Sequence, residues 1–401
     1  MSIVLFDVHK TRQQLLPFTY TRPVADVRVG ILTIREKWEK WLGEKTHSLT
    51  EQYLAAKYPT TPVHDSVTYI NGSILPDSLL ANAVKKLGAL QALYSGTTLI
   101  AFKTEKQHLN YENYEPITRG FAPVQFDGDI IQIKNLWDIF QSNARALKDD
   151  FELLTKDRTS QKISDTNTII GSADQIFLEE GAVVEASILN TKSGPVYIGK
   201  DAEVMEGCTI RGGFALGEHG VLKMSTKVYG ATTLGPHCKA GGELNNVVMM
   251  GYSNKAHDGF LGNSVIGEWC NLGADTNNSN LKNNYSTVEI FSYAEQKSID
   301  TGLQFCGLFM GDHSKCGINT MFNTGTVVGV SANIFGGDFP PKFIPSFSWG
   351  GAQWLRTFTF DKATEVATRV MERRGIALAQ TDIHILREVF DRDAIFRNKK
   401  Q

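Results

Sequence analysis

An apolar residue returns at every sixth position through the middle of this chain. Ile198, Val204, Ile210, Leu216, Leu222, Val228, Leu234 and Ala240 are consecutive hits. Phe260, Ile266 and Leu272 form a second set, and Met310, Cys316, Phe322, Val328 and Ile334 a third. A weaker set, Ile170, Ile176, Ala182 and Ile188, precedes them. Six residues do not close on a 3.6-residue helical turn, and a flat strand would repeat every two. Period six is the signature of a parallel β-helix, in which each hexad is one short strand plus a corner. The apolar residue fills the prism interior. Glycine often follows it, as at Gly199, Gly217, Gly235, Gly311 and Gly329, which reads as a small residue permitting a tight turn. Three hexads make a coil of about 18 residues, and no coil can bury its face without neighbours.

Charge balance narrows the partners. The chain of 401 residues carries 41 basic and 43 acidic side chains, a net charge of −2. That argues against nucleic acid or a membrane surface and leaves small molecules as the expected partners. Cys208, Cys238, Cys270, Cys306 and Cys316 all lie in the repeats without CxxC spacing, so buried free thiols are expected rather than a disulfide framework. The opening MSIVLFDVHK lacks a signal-peptide layout, and no apolar stretch approaches the roughly 18 residues of a membrane span. A cytoplasmic location is the expectation.

Residues 1–155 read as an α/β domain. Its features are a buried first strand over 2–6, further strands over 67–70 and 97–102, and helices over 77–87 and 135–147. Thr33 and Glu36 form a capping box opening another helix. A short charged exit over 155–165 leads into the β-helix, 165–340, with interruptions at 251–259 and 277–307 expected to project as loops from corners. A C-terminal extension, 341–401, carries helices over 362–374 and 381–392.

Departures from the hexad are where function is expected. The sharpest is 251–262, which sets His257, Lys255 and Asn254 among small residues; the next is 271–280, one coil further on. A neutral imidazole at such an edge suits a general base that takes a proton from an attacking ammonium. Glu243 or an asparagine would fix its tautomer, and corner backbone N–H groups would steady a thioester oxyanion.

The run His257-Asp258-Gly259-Phe260-Leu261-Gly262-Asn263-Ser264-Val265-Ile266-Gly267, followed by Asn271-Leu272-Gly273-Ala274-Asp275-Thr276 and Asn280, resembles one known family. It is the bifunctional UDP-N-acetylglucosamine pyrophosphorylase/glucosamine-1-phosphate N-acetyltransferase family. A Gly311-Asp312-His313-Ser314-Lys315 stretch is similar to one in archaeal sugar-phosphate enzymes. The resemblance implies a left-handed β-helix, a homotrimer with sites between subunits, and acetyl-CoA as donor. It also implies His257 as base, Glu243 as its partner, Asn280 orienting the acyl group and Asn271 touching the sugar. Phe260 stands where the family has Tyr, Asn245 near a sugar-binding Lys, and Asn263 in place of Asp. Lys227 and Lys255 are the nearest cations for a sugar phosphate. Gly311, Lys315, Lys342 and Arg356 are candidates for the CoA side.

The N-terminal stretch Thr11-Arg12 through Leu16-Pro17-Phe18-Thr19-Tyr20-Thr21-Arg22-Pro23 is similar to the opening signature of sugar-1-phosphate nucleotidyltransferases. There, glycines let amides approach nucleotide phosphates. Here Asp7-Val8-His9-Lys10 occupies the glycine-rich place. Asn71-Gly72-Ser73 resembles the family's Asn-Gly-Asp motif with Ser at the Mg²⁺-binding position. The resulting expectation is an acetyl-CoA-dependent N-acetyltransferase for an amino-sugar phosphate, with nucleotidyl transfer and its Mg²⁺ as a second activity at Thr11, Arg12, Arg22, Asn71 and Gly72. The rival is a nucleotidyltransferase using UTP or dTTP whose coils only trimerise it; a silent scaffold is the third reading. His219 and His237 are one coil apart and should stack, but with no third ligand at suitable spacing no metal is expected.

Overall fold

The structure, a computed structural model, describes residues 2–60, 66–105, 109, 111 and 118–398. The strand Ser2–Phe6 is buried along its length. It lies inside a six-stranded sheet ordered Thr46–Leu49, Ser2–Phe6, Val67–Asn71, Thr98–Thr104, Gln91–Ser95, Ala122–Gln125. The helix Ile34–Leu42 opens with the expected capping box, Thr33 accepting from the Glu36 amide and Glu36 from that of Thr33. Asp77 caps Ser78–Lys85. The helix Asp138–Thr155 runs about two turns further than its apolar pattern suggested.

The repeats form a three-faced parallel prism. Its first face begins at Thr168–Ile170, its second at Ile176–Leu178 and its third at Val183–Val184. The third face is a ten-stranded sheet, parallel except for its last pair. Ile198, Leu216 and Leu234 are register partners on the second face, and Val204, Leu222 and Ala240 on the third. All six are at most 1% exposed, which is the burial that makes the period visible. At the extremes of the repeat the six-beat slips. Ile170 and Ile188 face outward while Ile169 and Leu189 occupy the inner column, because the first coils carry longer corners. Phe260 likewise lies outward beside Glu243, and Leu261 fills the interior.

The corner glycines have a different role from the expected one. Only the first corner between the second and third faces has a left-handed glycine, Gly181; in the coils that follow the left-handed residue is Asp201, His219, His237, Tyr252, Trp269, His313, Ser331 and Phe347 in turn. The glycine before it is required by the neighbouring coil. A Cβ on Gly217 would stand 2.6 Å from the Pro236 nitrogen, and one on Gly235 would stand 1.9 Å from the Met250 carbonyl oxygen.

Of the two expected loops, the first differs and the second is found. The stretch 251–259 is not a projection: it holds the strand Asn254–Lys255 in a shortened coil. The long strands Glu243–Gly251 and Phe260–Glu268 span two faces at once. Beyond Asn277–Asn278, a real insertion carries the antiparallel hairpin Glu289–Ser292 and Lys297–Asp300.

The N-terminal domain covers the second face. Ile31, Leu147, Phe151 and Leu154 close over Phe177, Tyr197 and Ala215, while Val248, Met250, Val265 and Phe309 join the domain's main core. Asn143 accepts from the Gly30 amide at 2.7 Å and donates to the Ala231 carbonyl at 3.0 Å. The helices Phe360–Glu372, Gln380–Arg392 and Ala394–Arg397 lock both parts together. Buried Asp393 accepts from the Tyr20 hydroxyl at 3.0 Å and the Ser346 amide at 2.5 Å.

The register slip gives a direct test. Leu189→Ala should destabilise by about 2–5 kcal/mol, the range for a truncated core leucine. Ile188→Ala, at an exposed position, should cost about 0.5 kcal/mol or less. Thermal or denaturant unfolding measures both, and equal losses would contradict the inner column assigned here.

Candidate functional site

The corner between the third and first faces at 256–259 is held by an interior lysine. Lys255 is the register partner of Ala240 and only 1% exposed, so it occupies a column otherwise filled by apolar groups. Its Nζ donates to the His257 carbonyl at 2.5 Å and the Asp258 carbonyl at 2.9 Å, and burial lowers its pKa to about 8. Lys255 is therefore not the surface cation expected for a sugar phosphate; the shortened coil brings it inward. The Asp275 amide donates to Asp258 O and the Glu243 amide to Gly259 O, both at 3.1 Å. The backbone of this corner is thus fixed from three sides, while the His257 side chain stands exposed. Among the described residues its ring makes no hydrogen bond.

Glu243, Phe260 and Lys227 share the edge of the first face next to this corner, as register partners on consecutive coils. Glu243 accepts from the Tyr229 hydroxyl and lies 4.0 Å from Lys227 Nζ; that bond pushes the Tyr229 phenol up to about 12. The expected Glu243–His257 hydrogen bond is absent among the described residues; the carboxylate accepts from Tyr229 instead. Asn245 lies at the far end of the same face, between Tyr229 and Gly262. Asn280 donates its Nδ2 to Asn263 Oδ1 at 2.8 Å. Asn271 sits on the third face between Asn254 and Lys315, at the end opposite His257. The structure sets Phe260, Glu243 and Lys227 side by side next to the His257 corner. Asn280 lies against Phe260, since a Cβ on Gly262 would stand 2.4 Å from the Phe260 ring and 2.9 Å from Asn280 Nδ2; Asn245 lies at the far end of that face and Asn271 on another.

The CoA candidates do not converge either. Gly311 is wedged against the next coil, where a Cβ would stand 2.9 Å from the Gly329 carbonyl carbon. Lys315 donates to the His313 carbonyl at 2.8 Å, and burial lowers its pKa to about 8. Lys342 reaches the Glu289 carbonyl at 3.2 Å, and Arg356 lies over Trp354.

In the N-terminal domain the nucleotide candidates are buried and spent. Thr11 and Arg12 are at most 5% exposed. Arg12 Nη1 pairs with Asp7 at 3.0 Å and also donates to the Arg22 carbonyl and Thr50; its Nη2 reaches the Thr19 carbonyl and Tyr53. Arg22 turns into the prism, pairing with Asp312 and, at 3.3 Å, with Glu268. Asn71 Oδ1 accepts from the amide and hydroxyl of Ser73, its Nδ2 donates to Leu99 O, and the Gly72 amide donates to Phe6 O. Asp77, the nearest carboxylate in sequence, caps a helix. These residues do not fit a Mg²⁺ ion, which needs anionic oxygen ligands. Among the described residues no group of three His, Cys, Asp or Glu could hold a metal, and no helix is long and apolar enough to cross a membrane.

His219 and His237 do stack, at 4.8 Å between ring centroids, but in longer company. The column continues through Tyr252 at 4.7 Å, Trp269 at 4.2 Å and His313 at 6.3 Å. Each ring belongs to the same left-handed corner residue. The coil shortening after Ala240 hid Tyr252 and Trp269 from a fixed-spacing reading.

Residues 3–159 match a family model described as sugar nucleotidyl transferase. A curated relative from Sulfurisphaera tokodaii, a bifunctional sugar-1-phosphate nucleotidylyltransferase/acetyltransferase, is 30% identical over 146 residues, 36% of this chain and 36% of that protein. The chain thus matches about a third of that relative's length. Among solved structures, an Arabidopsis UDP-N-acetylglucosamine acyltransferase is 15% identical with a TM-score of 0.24, covering 59% of this chain and 94% of its own. A hexapeptide transferase family protein from Anaplasma phagocytophilum is 14% identical with a TM-score of 0.16, covering 57% and 91%. Such low TM-scores carry no weight; the strand registers define the fold.

The last ring of the column gives a pH test. Burial lowers the His313 pKa to about 4, and Lys315 adds to this while Asp312 and Asp382 oppose it. Its Nδ1 is buried without a hydrogen-bond partner among the described residues. The unfolded chain, with an imidazole near 6.5, binds more protons than the folded one between pH 6.5 and about 4. This contribution is complete above pH 6.5 and lost as pH falls towards 4. His313→Asn, which tolerates the left-handed backbone, should flatten the fall in melting temperature across that window. An unchanged slope would refute the assignment.

Proposed function

We propose that this protein is an acetyl-CoA-dependent N-acetyltransferase acting on an amino-sugar phosphate of the glucosamine 1-phosphate kind. The observation that carries the reading is the His257 corner: a rigid backbone presenting a ring free to exchange a proton. His257 takes a proton from the acceptor ammonium. The freed amine attacks the thioester carbonyl carbon, the C–S bond breaks, and the CoA thiolate leaves and is protonated. Phe260 and Lys227 lie where they can bound the acceptor, and Glu243 holds Tyr229 and Lys227 in place beside it. Acetyl-CoA and the sugar are both substrates.

A homotrimer in the cytoplasm completes the proposal. The same corner and the first face expose Met224, Ile318 and Met321 at 62%, 70% and 39%, large apolar groups suited to a second copy. The relative's name, which includes acetyltransferase, supports the acetyl-transfer reading.

The alternative is nucleotidyl transfer with UTP or dTTP in the N-terminal domain, the coils serving only to trimerise it. The family match over 3–159 favours it. The burial of Arg12 and Arg22 opposes it, because neither guanidinium is free to meet a triphosphate.

His257→Ala should reduce acetyl transfer from acetyl-CoA to hexosamine phosphates by at least about 100-fold, the usual worth of a general base, with an unchanged melting temperature. Pyrophosphate release from UTP or dTTP with sugar 1-phosphates should stay at background for the whole chain. Wild-type turnover by the variant removes the base assignment, and robust pyrophosphate release would favour the alternative.

A further inference from the structure

On the other side of the first face, the helix Asp138–Thr155 and the corner joining the first and second faces enclose a cleft of about 400 Å³. Two cations stand in its walls, Lys148 from the helix and Arg211 from the strand Thr209–Arg211. Both are exposed, and neither forms an ion pair among the described residues. Among the described residues no carboxylate lines the cleft. Glu243, the acid on the adjoining face, is already engaged by Tyr229 and Lys227.

The remaining wall is backbone by necessity. A Cβ on Gly212 would stand 2.4 Å from the Gly194 carbonyl oxygen, and one on Gly213 would stand 3.1 Å from Leu147. The strand ladder also opens here. Thr209↔Lys227 and Ile210↔Val228 pair, and then the register stops, although the coil below continues to Asn190↔Arg211 and the coil above to Tyr229↔Asn245. Gly213 and Ala231 line the cleft and are buried. Their backbone N–H groups make no hydrogen bond among the described residues. In the wall of a cleft these N–H groups are left to water or to a ligand that enters it, because the chain offers them no acceptor among the described residues.

We propose that this cleft binds a phosphate-bearing ligand, whose oxygens accept from the Arg211 guanidinium, the Lys148 ammonium and the amides of Gly213 and Ala231. A guanidinium meets phosphate with two parallel N–H donors, a lysine adds a compact charge, and backbone amides supply fixed dipoles. The absence of a carboxylate leaves the site open to an anion rather than to an internal ion pair. The site uses none of the His257 corner, so it stands or falls independently of acetyl transfer.

Calorimetry on the full chain with inorganic phosphate, pyrophosphate and glucose 1-phosphate tests this. Saturable binding at one site per chain is expected, weakening as salt is added. Arg211→Gln and Lys148→Gln should each weaken it at least tenfold with unchanged melting temperature, while Lys362→Gln on a distant helix leaves it intact. Hydrogen exchange in peptides containing Gly213 and Ala231 should slow on binding, a response that a diffuse surface charge would not give. Tighter binding of glucose 1-phosphate than of inorganic phosphate would identify a sugar phosphate, and equal binding a free phosphate group. Failure of all three to bind, wild-type affinity in Arg211→Gln, or exchange protection confined to other segments would overturn the proposal.

Discussion

A buried ion pair between Arg22 and Asp312 joins the two halves of this protein and limits what each can do. Asp312 also accepts from the Thr21 hydroxyl at 2.6 Å and the Glu268 amide at 2.8 Å. One carboxylate thus fixes a corner of the prism and the chain segment 21–22 of the α/β domain. Removing one partner of such a pair leaves an uncompensated buried charge, which is far more costly than never having had the pair. The arginine that resembles a phosphate-facing residue in nucleotidyltransferases is thereby committed to structure.

That commitment explains the shape of the molecule. The α/β domain does not hang from the prism by a linker; it supplies the covering for the prism's second face. Its own core is continuous with Val248, Met250, Val265 and Phe309. The C-terminal helices then close the junction through Asp393. With the second face covered, the first face and its two bordering corners stay accessible, and these carry His257 on one side and the Arg211–Lys148 cleft on the other.

The two sites use backbone in opposite ways. At the His257 corner the carbonyls of His257, Asp258 and Gly259 are claimed, by a buried ammonium and by amides of adjacent coils, so the backbone is held while the imidazole makes no hydrogen bond among the described residues. At the cleft the strand ladder opens and amides are left over. Proton transfer benefits from a held scaffold with one mobile proton, whereas anion binding benefits from unsatisfied donors. The first arises where a coil shortens, Ala240 pairing with Lys255, whereas the second lies between coils of regular eighteen-residue spacing, Thr209 pairing with Lys227 and Phe214 with Thr232.

The sequence by itself determined the prism, its interior columns through Ile198 to Ala240, the capped helix at Thr33 and the two main C-terminal helices. Burial of one residue in six leaves a mark that no other fold produces. It also singled out His257, because a histidine among small corner residues breaks that pattern. Tertiary structure alone decided that Lys255 lies inside, that Phe260 faces out, that Glu243 bonds Tyr229, and that Arg12 and Arg22 are spent. Each of those outcomes depends on coil length or on which group from a distant segment arrives first. The six-residue period records only whether a side chain faces inward, not what waits for it there.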